Sequence, residues 1–107
     1  MFILIVVSSN STSKMKTAYG LASASIRRGH RVTIFFFMSG VKLLADKRGA
    51  EEPASLIEAG VKLLACRTSV TDQGIESEES IVSGADMSSL GELVELMDRC
   101  DRTLYLG

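Results

Sequence analysis

The sequence predicts a single-domain α/β fold with a mostly parallel sheet between helical layers, and three observations lead there. Apolar, β-rich runs recur at Phe2-Ile3-Leu4-Ile5-Val6-Val7, Arg31 to Phe37 and Val61 to Ala65. They are continuous rather than alternating, the pattern of strands covered on both faces. Segments of helical period lie between them, and Gly29 and Gly60 stand where those helices must stop. Strand, helix, glycine and strand in close succession call for right-handed parallel crossovers.

The elements follow in order. After the first strand, Ser8 to Ser13 form a hydroxyl-rich loop, and Met15, Ala18, Tyr19, Ala22 and Ile26 recur at helical spacing between Lys14 and Arg28. Arg31 to Phe37 is the second strand. Ser39 is placed to cap a short helix over Val41 to Asp46, Lys47 to Glu52 reads as a charged loop, and Pro53 suits the opening of a helix that Ala54 to Ala59 continue. Val61 to Ala65 then form a third strand that delivers Cys66 to its carboxyl end. A brief helix is predicted over Thr68 to Gln73, a short strand near Ile81, and an amphipathic helix over Asp86 to Cys100 with Leu90, Leu93, Val94 and Met97 as its buried stripe. Thr103 to Leu106 close the sheet.

Size and charge narrow the function classes. A chain of 107 residues is one ordinary domain, small enough to gain stability by association with copies of itself. Twelve basic and thirteen acidic residues leave a net charge of −1, with no basic excess for nucleic acid or an anionic membrane. A mean hydropathy of +0.21 fits strands buried on both faces or apolar surface between subunits. Met1 to Val7 is too short to span a bilayer and lacks the basic region and cleavage site of a secretory signal. Two cysteines at no metal spacing point to a reducing cytoplasm, where a thiol stays free.

Chemistry concentrates at Cys66. Reactive groups in open α/β sheets collect at the carboxyl ends of strands. The residues that follow, Arg67-Thr68-Ser69-Val70-Thr71-Asp72, supply a cation beside the thiol and a Ser69/Asp72 capping-box spacing for a helix beginning just beyond it. Both features favour the thiolate, the nucleophile of disulfide exchange, persulfide formation and sulfur transfer. Free cysteine is equally at home as a small buried hydrophobe. Cys100 reads as helix packing, and 33 residues separate it from Cys66 with no local redox pair between them.

Several segments together resemble the DsrE/DsrF-like family, which includes the TusD-type subunits of bacterial sulfur relays. They are the strand Phe2 to Val7, Gly29-His30-Arg31-Val32-Thr33-Ile34-Phe35-Phe36-Phe37, Gly60-Val61-Lys62-Leu63-Leu64-Ala65-Cys66, the Gln73-Gly74-Ile75 turn, and Leu90-Gly91-Glu92-Leu93 followed by Asp101-Arg102-Thr103-Leu104. The resemblance covers nearly the whole chain. It implies a five-stranded, flavodoxin-related sheet and trimers or hexamers of one chain or of related subunits; no cofactor is expected. It also implies a cysteine after the third strand that carries sulfur as a persulfide between donor and acceptor proteins, and Cys66 matches that position.

Other functions compete for the same residues. Ser8, Ser9, Asn10, Ser11 and Thr12 lie where flavodoxins hold a phosphate, so nucleotide or flavin binding is an alternative. The loop has no glycine, the chain has no Trp and only Tyr19 and Tyr105 could stack, and helix capping explains the same hydroxyls. His30, the sole histidine, reads as a polar helix-end residue at the opposite edge of the sheet from Cys66. Asp46, Glu51, Glu52, Glu76, Glu78 and Glu79 read as solvated surface, and no metal site is expected. A third class is an oligomeric structural subunit in which Cys66 is inert.

Overall fold

A computed structural model of the chain describes residues 1–45 and 51–107. Its centre is a sheet of five parallel strands in the order β4-β3-β2-β1-β5, formed by β1 (Phe2–Val7), β2 (Arg31–Phe36), β3 (Lys62–Cys66), β4 (Asp86–Ser88) and β5 (Arg102–Leu106). The helices are α1 (Thr12–Arg27), α2 (Lys42–Ala45), α3 (Glu51–Glu58), α4 (Arg67–Asp72) and α5 (Leu90–Arg99), with 3-10 turns at Met38–Val41 and Glu78–Ser80.

The strand order fixes the layers. From β1 to β4 the chain advances in one direction across the sheet, so right-handed crossovers put α1 to α4 on one face. From β4 to β5 it steps back past β1, and the same handedness puts α5 alone on the other. Period two along each strand sorts the side chains accordingly. Ile5, Val7, Ile34, Phe36, Leu63 and Ala65 pack against α1 to α4, while Leu4, Val6, Phe35, Leu64 and Cys66 pack against Leu93 and Leu96 of α5. Strand residues Leu4, Ile5, Ile34, Phe35 and Phe36 are fully buried, which is why their runs are continuously apolar.

Local chemistry ends the elements where expected. Ser11 caps α1, its Oγ accepting from the Lys14 N–H, so the helix starts at Thr12 and the hydroxyl loop is shorter than the sequence suggests. Gly29 and Gly60 terminate α1 and α3 with φ of +85° and +102°. Gly40 serves a different need: a Cβ there would lie 2.3 Å from the Val7 carbonyl oxygen, so only glycine lets the turn after β2 cross the end of β1.

The structure corrects several expectations. The strand predicted near Ile81 is absent; Ile81 is a buried loop residue, and the fourth strand is Asp86–Ser88, inside the segment assigned to the last helix. That helix begins at Leu90, where the Ser89 Oγ caps it by accepting from the Glu92 N–H. Ser39 caps nothing: it lies within the 3-10 turn and its hydroxyl donates to the Ser8 carbonyl at 3.2 Å. Glu51 and Glu52 belong to α3 rather than to a loop, and Pro53 is its third residue. The predicted helix end at Asp46 and the loop from Lys47 through Ala50 lie outside the described residues.

The largest correction concerns α5. Leu93 and Leu96 face the sheet, whereas Leu90, Val94 and Met97 are 51%, 58% and 49% exposed. The apolar arc of this helix is wider than the strip one helix can press onto a sheet, so only part of it is used. Beyond it, β5 pairs among the described residues with β1 alone and leaves Leu104 and Tyr105 exposed at the sheet edge.

Candidate functional site

Cys66 is the last residue of β3 and α4 starts on the next, one position earlier than predicted, so Cys66 occupies the helix N-cap position. Its thiol is free and makes no capping bond. Alternation along β3 turns it to the α5 face beside Leu64, and it is 2% exposed in a cluster with Leu4, Val6, Phe35, Leu93 and Leu96. The packing is therefore that of a small hydrophobe at the carboxyl end of a strand.

Of the residues predicted to support the thiolate, Arg67 and Ser69 each have a partner of their own. The Arg67 guanidinium stands 3.8 Å from Glu78 Oε1, with both side chains about 70% exposed. Glu78 thus has an ionic partner at the surface, which the sequence did not foretell. Ser69 is buried within α4, not at its start, so the Ser69/Asp72 pair forms no capping box. Instead its Oγ accepts the Met38 N–H at 2.7 Å. Met38 is the one described non-glycine residue with positive φ, +52°, and this bond ties the strained end of β2 to the helix that follows Cys66.

Beside Cys66 a cleft of about 400 Å³ is lined by Arg67, Thr68, Met87, Ser88, Ser89 and Glu92. Its far wall is the β4–α5 junction, where the Ser88 hydroxyl donates to the Glu92 carboxylate. A cation, a carboxylate and three hydroxyls thus converge next to the strand end that bears the thiol. Sequence reasoning passed over Ser88, Ser89 and Glu92. The signal that could have found them is the Ser89-x-x-Glu92 spacing, which marks a helix start rather than a helix interior.

The hydroxyl loop after β1 does not join this site. It lies between the ends of β1 and β5, where the strand order reverses. Its polar groups are spent within the chain: Ser8 Oγ meets Tyr105 Oη at 2.7 Å, Ser9 Oγ accepts the Ser11 N–H, Ser11 caps α1, Thr12 opens that helix, and Asn10 is exposed. Helix capping and loop closure account for these residues without a phosphate. His30 sits before β2, its Nδ1 3.1 Å from the Met1 nitrogen, at the opposite end of the strands from Cys66. Cys100 precedes β5 at that same far end, its Sγ 3.0 Å from Thr103 Oγ1.

No group of three or more His, Cys, Asp and Glu able to hold a metal occurs among the described residues, nor is any described helix long and apolar enough to cross a membrane.

The sequence model of the DsrE/DsrF-like family matches residues 1–106. No curated protein matches the chain. Among solved structures, the protein of unknown function MTH1491 from Methanobacterium thermoautotrophicum superposes with a TM-score of 0.87 at 16% identity, covering 97% of each chain. The ychN protein from E. coli gives 0.75 at 17% identity over 98% of this chain and 97% of its own. BT1422 of Bacteroides thetaiotaomicron, a conserved protein of unknown function, gives 0.79 at 19% over 97% and 94%. At these identities the likeness is one of fold.

Proposed function

The chain belongs to the DsrE/DsrF-like family, and from that membership we propose that it is a sulfur carrier, accepting and passing sulfur as a persulfide on Cys66. The observation that carries the reading is the placement of a free cysteine at the carboxyl end of β3, directly before α4. That is the position at which family resemblance expects the persulfide cysteine. In the loading step the Cys66 thiolate attacks the outer sulfur of a donor persulfide; the new S–S bond forms as the donor's S–S bond breaks, and the donor leaves as a thiolate. Unloading repeats the exchange with an acceptor thiolate, so no external oxidant is consumed.

Burial suits a carrier, because a persulfide sealed under Leu93 and Phe35 is shielded from stray thiols until the site opens. The cleft of Arg67, Thr68, Ser88, Ser89 and Glu92 is where a donor or acceptor segment would dock. On this reading residues 1–107 act as one domain in the cytoplasm, turning over with protein donors and acceptors and with no cofactor.

A second reading rests on the exposed α5 and β5 surface. Leu90, Val94 and Met97 of α5 and Tyr105 on the same face of the edge strand form apolar surface, and Glu95, Asp98 and Arg99 add charges of both signs. A surface with both signs of charge is self-complementary across a symmetric interface, so its occupant is a second copy of this chain. In that case the protein is an oligomeric subunit, and trimers or hexamers are the expected assemblies.

One experiment separates the readings. Intact-mass measurement of wild type and Cys66→Ser after exposure to a low-molecular-weight persulfide should show a reductant-reversible gain of about 32 Da in the wild type only. No gain under conditions where a thiol reagent does label Cys66 would remove the carrier reading and leave the subunit.

A further inference from the structure

A thiol must lose its proton to become a nucleophile, and the cluster that encloses Cys66, built from Leu4, Val6, Phe35, Leu64, Leu93 and Leu96, has no group to take it. The polar route lies across the sheet. Cys66 and Ser88 are register partners on the adjacent parallel strands β3 and β4, at the usual strand spacing of about 4.8 Å. Both side chains lie on the α5 face: Cys66 packs with Leu93 and Leu96, and the Ser88 hydroxyl donates to the Glu92 carboxylate of α5. On the other flank, the register that pairs Phe36 with Ala65 brings Phe37 beside Cys66, so that side is aromatic.

Ser88 is 8% exposed and, with the half-buried Glu92, lines the cleft of about 400 Å³. It is thus the polar group between the enclosed thiol and open water. Its own proton is committed to Glu92, which leaves its oxygen lone pairs to accept from the thiol. The Glu92 N–H donates to Ser89 Oγ at 3.1 Å, a bond that holds this residue at the β4–α5 junction. Among the described residues Glu92 is in no ion pair, since Arg67 of the same cleft pairs with Glu78.

We propose that Ser88 and Glu92 form a proton relay for Cys66, with Glu92 the final acceptor. The reaction it serves rests on the sulfur-carrier reading. As Sγ attacks the outer sulfur of the donor persulfide, the thiol proton passes to Ser88 Oγ and the Ser88 hydroxyl proton passes to Glu92. The donor's S–S bond breaks with its electron pair going to the donor sulfur, and that thiolate takes the proton back from Glu92 as it leaves. One thiol and one persulfide become another such pair, with no net oxidation and no net release of protons.

The test is the rate of sulfur loading from cysteine hydropersulfide, followed by intact mass in a Cys100→Ser background between about pH 6.5 and 9.5. Near neutral pH, Glu92→Gln, which keeps the side chain's size and an acceptor for Ser88, should load about 100-fold more slowly than the parent, and so should Ser88→Ala. Both should keep Tm within a few degrees, and Ser88→Thr, which restores the hydroxyl, should recover most of the rate. The deficit should shrink to about twofold at the top of the range, where hydroxide strips an ordinary thiol unaided. Loading of Glu92→Gln at the parent rate near neutral pH, or a deficit equal at every pH, would overturn the relay and leave the carrier reading standing. If the parent takes up no sulfur, the carrier reading falls, and alkylation of Cys66 by iodoacetamide then decides the relay: slower reaction of Glu92→Gln near neutral pH supports it and an equal rate overturns it.

Discussion

Leu93→Ala tests whether α5 is the seal over Cys66. Leu93 is 9% exposed and shares its cluster with Leu4, Val6, Phe35, Leu64 and the thiol. Truncating a buried leucine costs about 2–5 kcal/mol, and a helix of ten residues on one face can partly settle into the gap, so about 2–3 kcal/mol is expected. For a domain of this size that lowers Tm by roughly 10 °C. If Cys66 reacts only when α5 lifts, the same energy appears in the labelling rate: at tenfold per 1.4 kcal/mol, an alkylating reagent should modify Cys66 about 30- to 140-fold faster in Leu93→Ala. The assay follows adduct formation by mass spectrometry in a Cys100→Ser background, so that one thiol is read. A fall in Tm with an unchanged labelling rate would refute the reasoning and place the route to Cys66 elsewhere, through the β4 edge. Labelling of the parent at the rate of an unfolded chain would refute the burial itself.

Three further predictions follow from the packing. Gly40→Ala should destabilise by about 1–3 kcal/mol in urea unfolding, since its methyl meets the Val7 carbonyl and the backbone must move. Burial, and secondarily the charge of Glu52, push the Tyr19 phenol up, so the folded state holds its proton where the unfolded chain, titrating near 10.0, releases it. Stability should therefore be unaffected by Tyr19 below that pH and fall above it by up to about 1.4 kcal/mol per pH unit, a decline that Tyr19→Phe flattens in parallel denaturation series. Val94→Lys with Met97→Lys should leave the monomer's Tm within a few degrees while reducing self-association in analytical ultracentrifugation, because both side chains point to solvent in the isolated chain. Self-association unchanged by the pair would discard the α5 face as an interface.

How far the sequence could be read depended on where the determining contacts lie. β1, β2 and β3 were legible because burial on both faces forces continuous apolar runs, as at Ile34-Phe35-Phe36. β4 was not, since Asp86-Met87-Ser88 is a short strand with β3 as its only partner among the described residues and needs no apolar run. The same blindness displaced the start of α5 by four residues, although Ser89-x-x-Glu92 marked it. In the candidate site, Cys66 was placed correctly at a strand end, but its facing was set by register with Leu64 and by the helix laid over it. Arg67 and Ser69 were read from their place after the thiol in sequence, and their partners Glu78 and Met38, distant in sequence, were not legible there. Tyr19 was counted as a core residue of α1, and only the third dimension shows its hydroxyl without a partner among the described residues.

The pairing of β1 with β5 bears on how the protein is made. Ile3 lies beside Arg102 and Val7 beside Leu106, so one edge of the most apolar strand waits for almost the whole chain before its neighbour exists. At ribosomal rates that interval is roughly 5–20 s. During it β1 offers a bare row of amides and carbonyls, a template for any other extended chain nearby. Slow codons before β5, or premature termination there, should therefore shift the product toward aggregates even though every residue of the Cys66 site has already been synthesised.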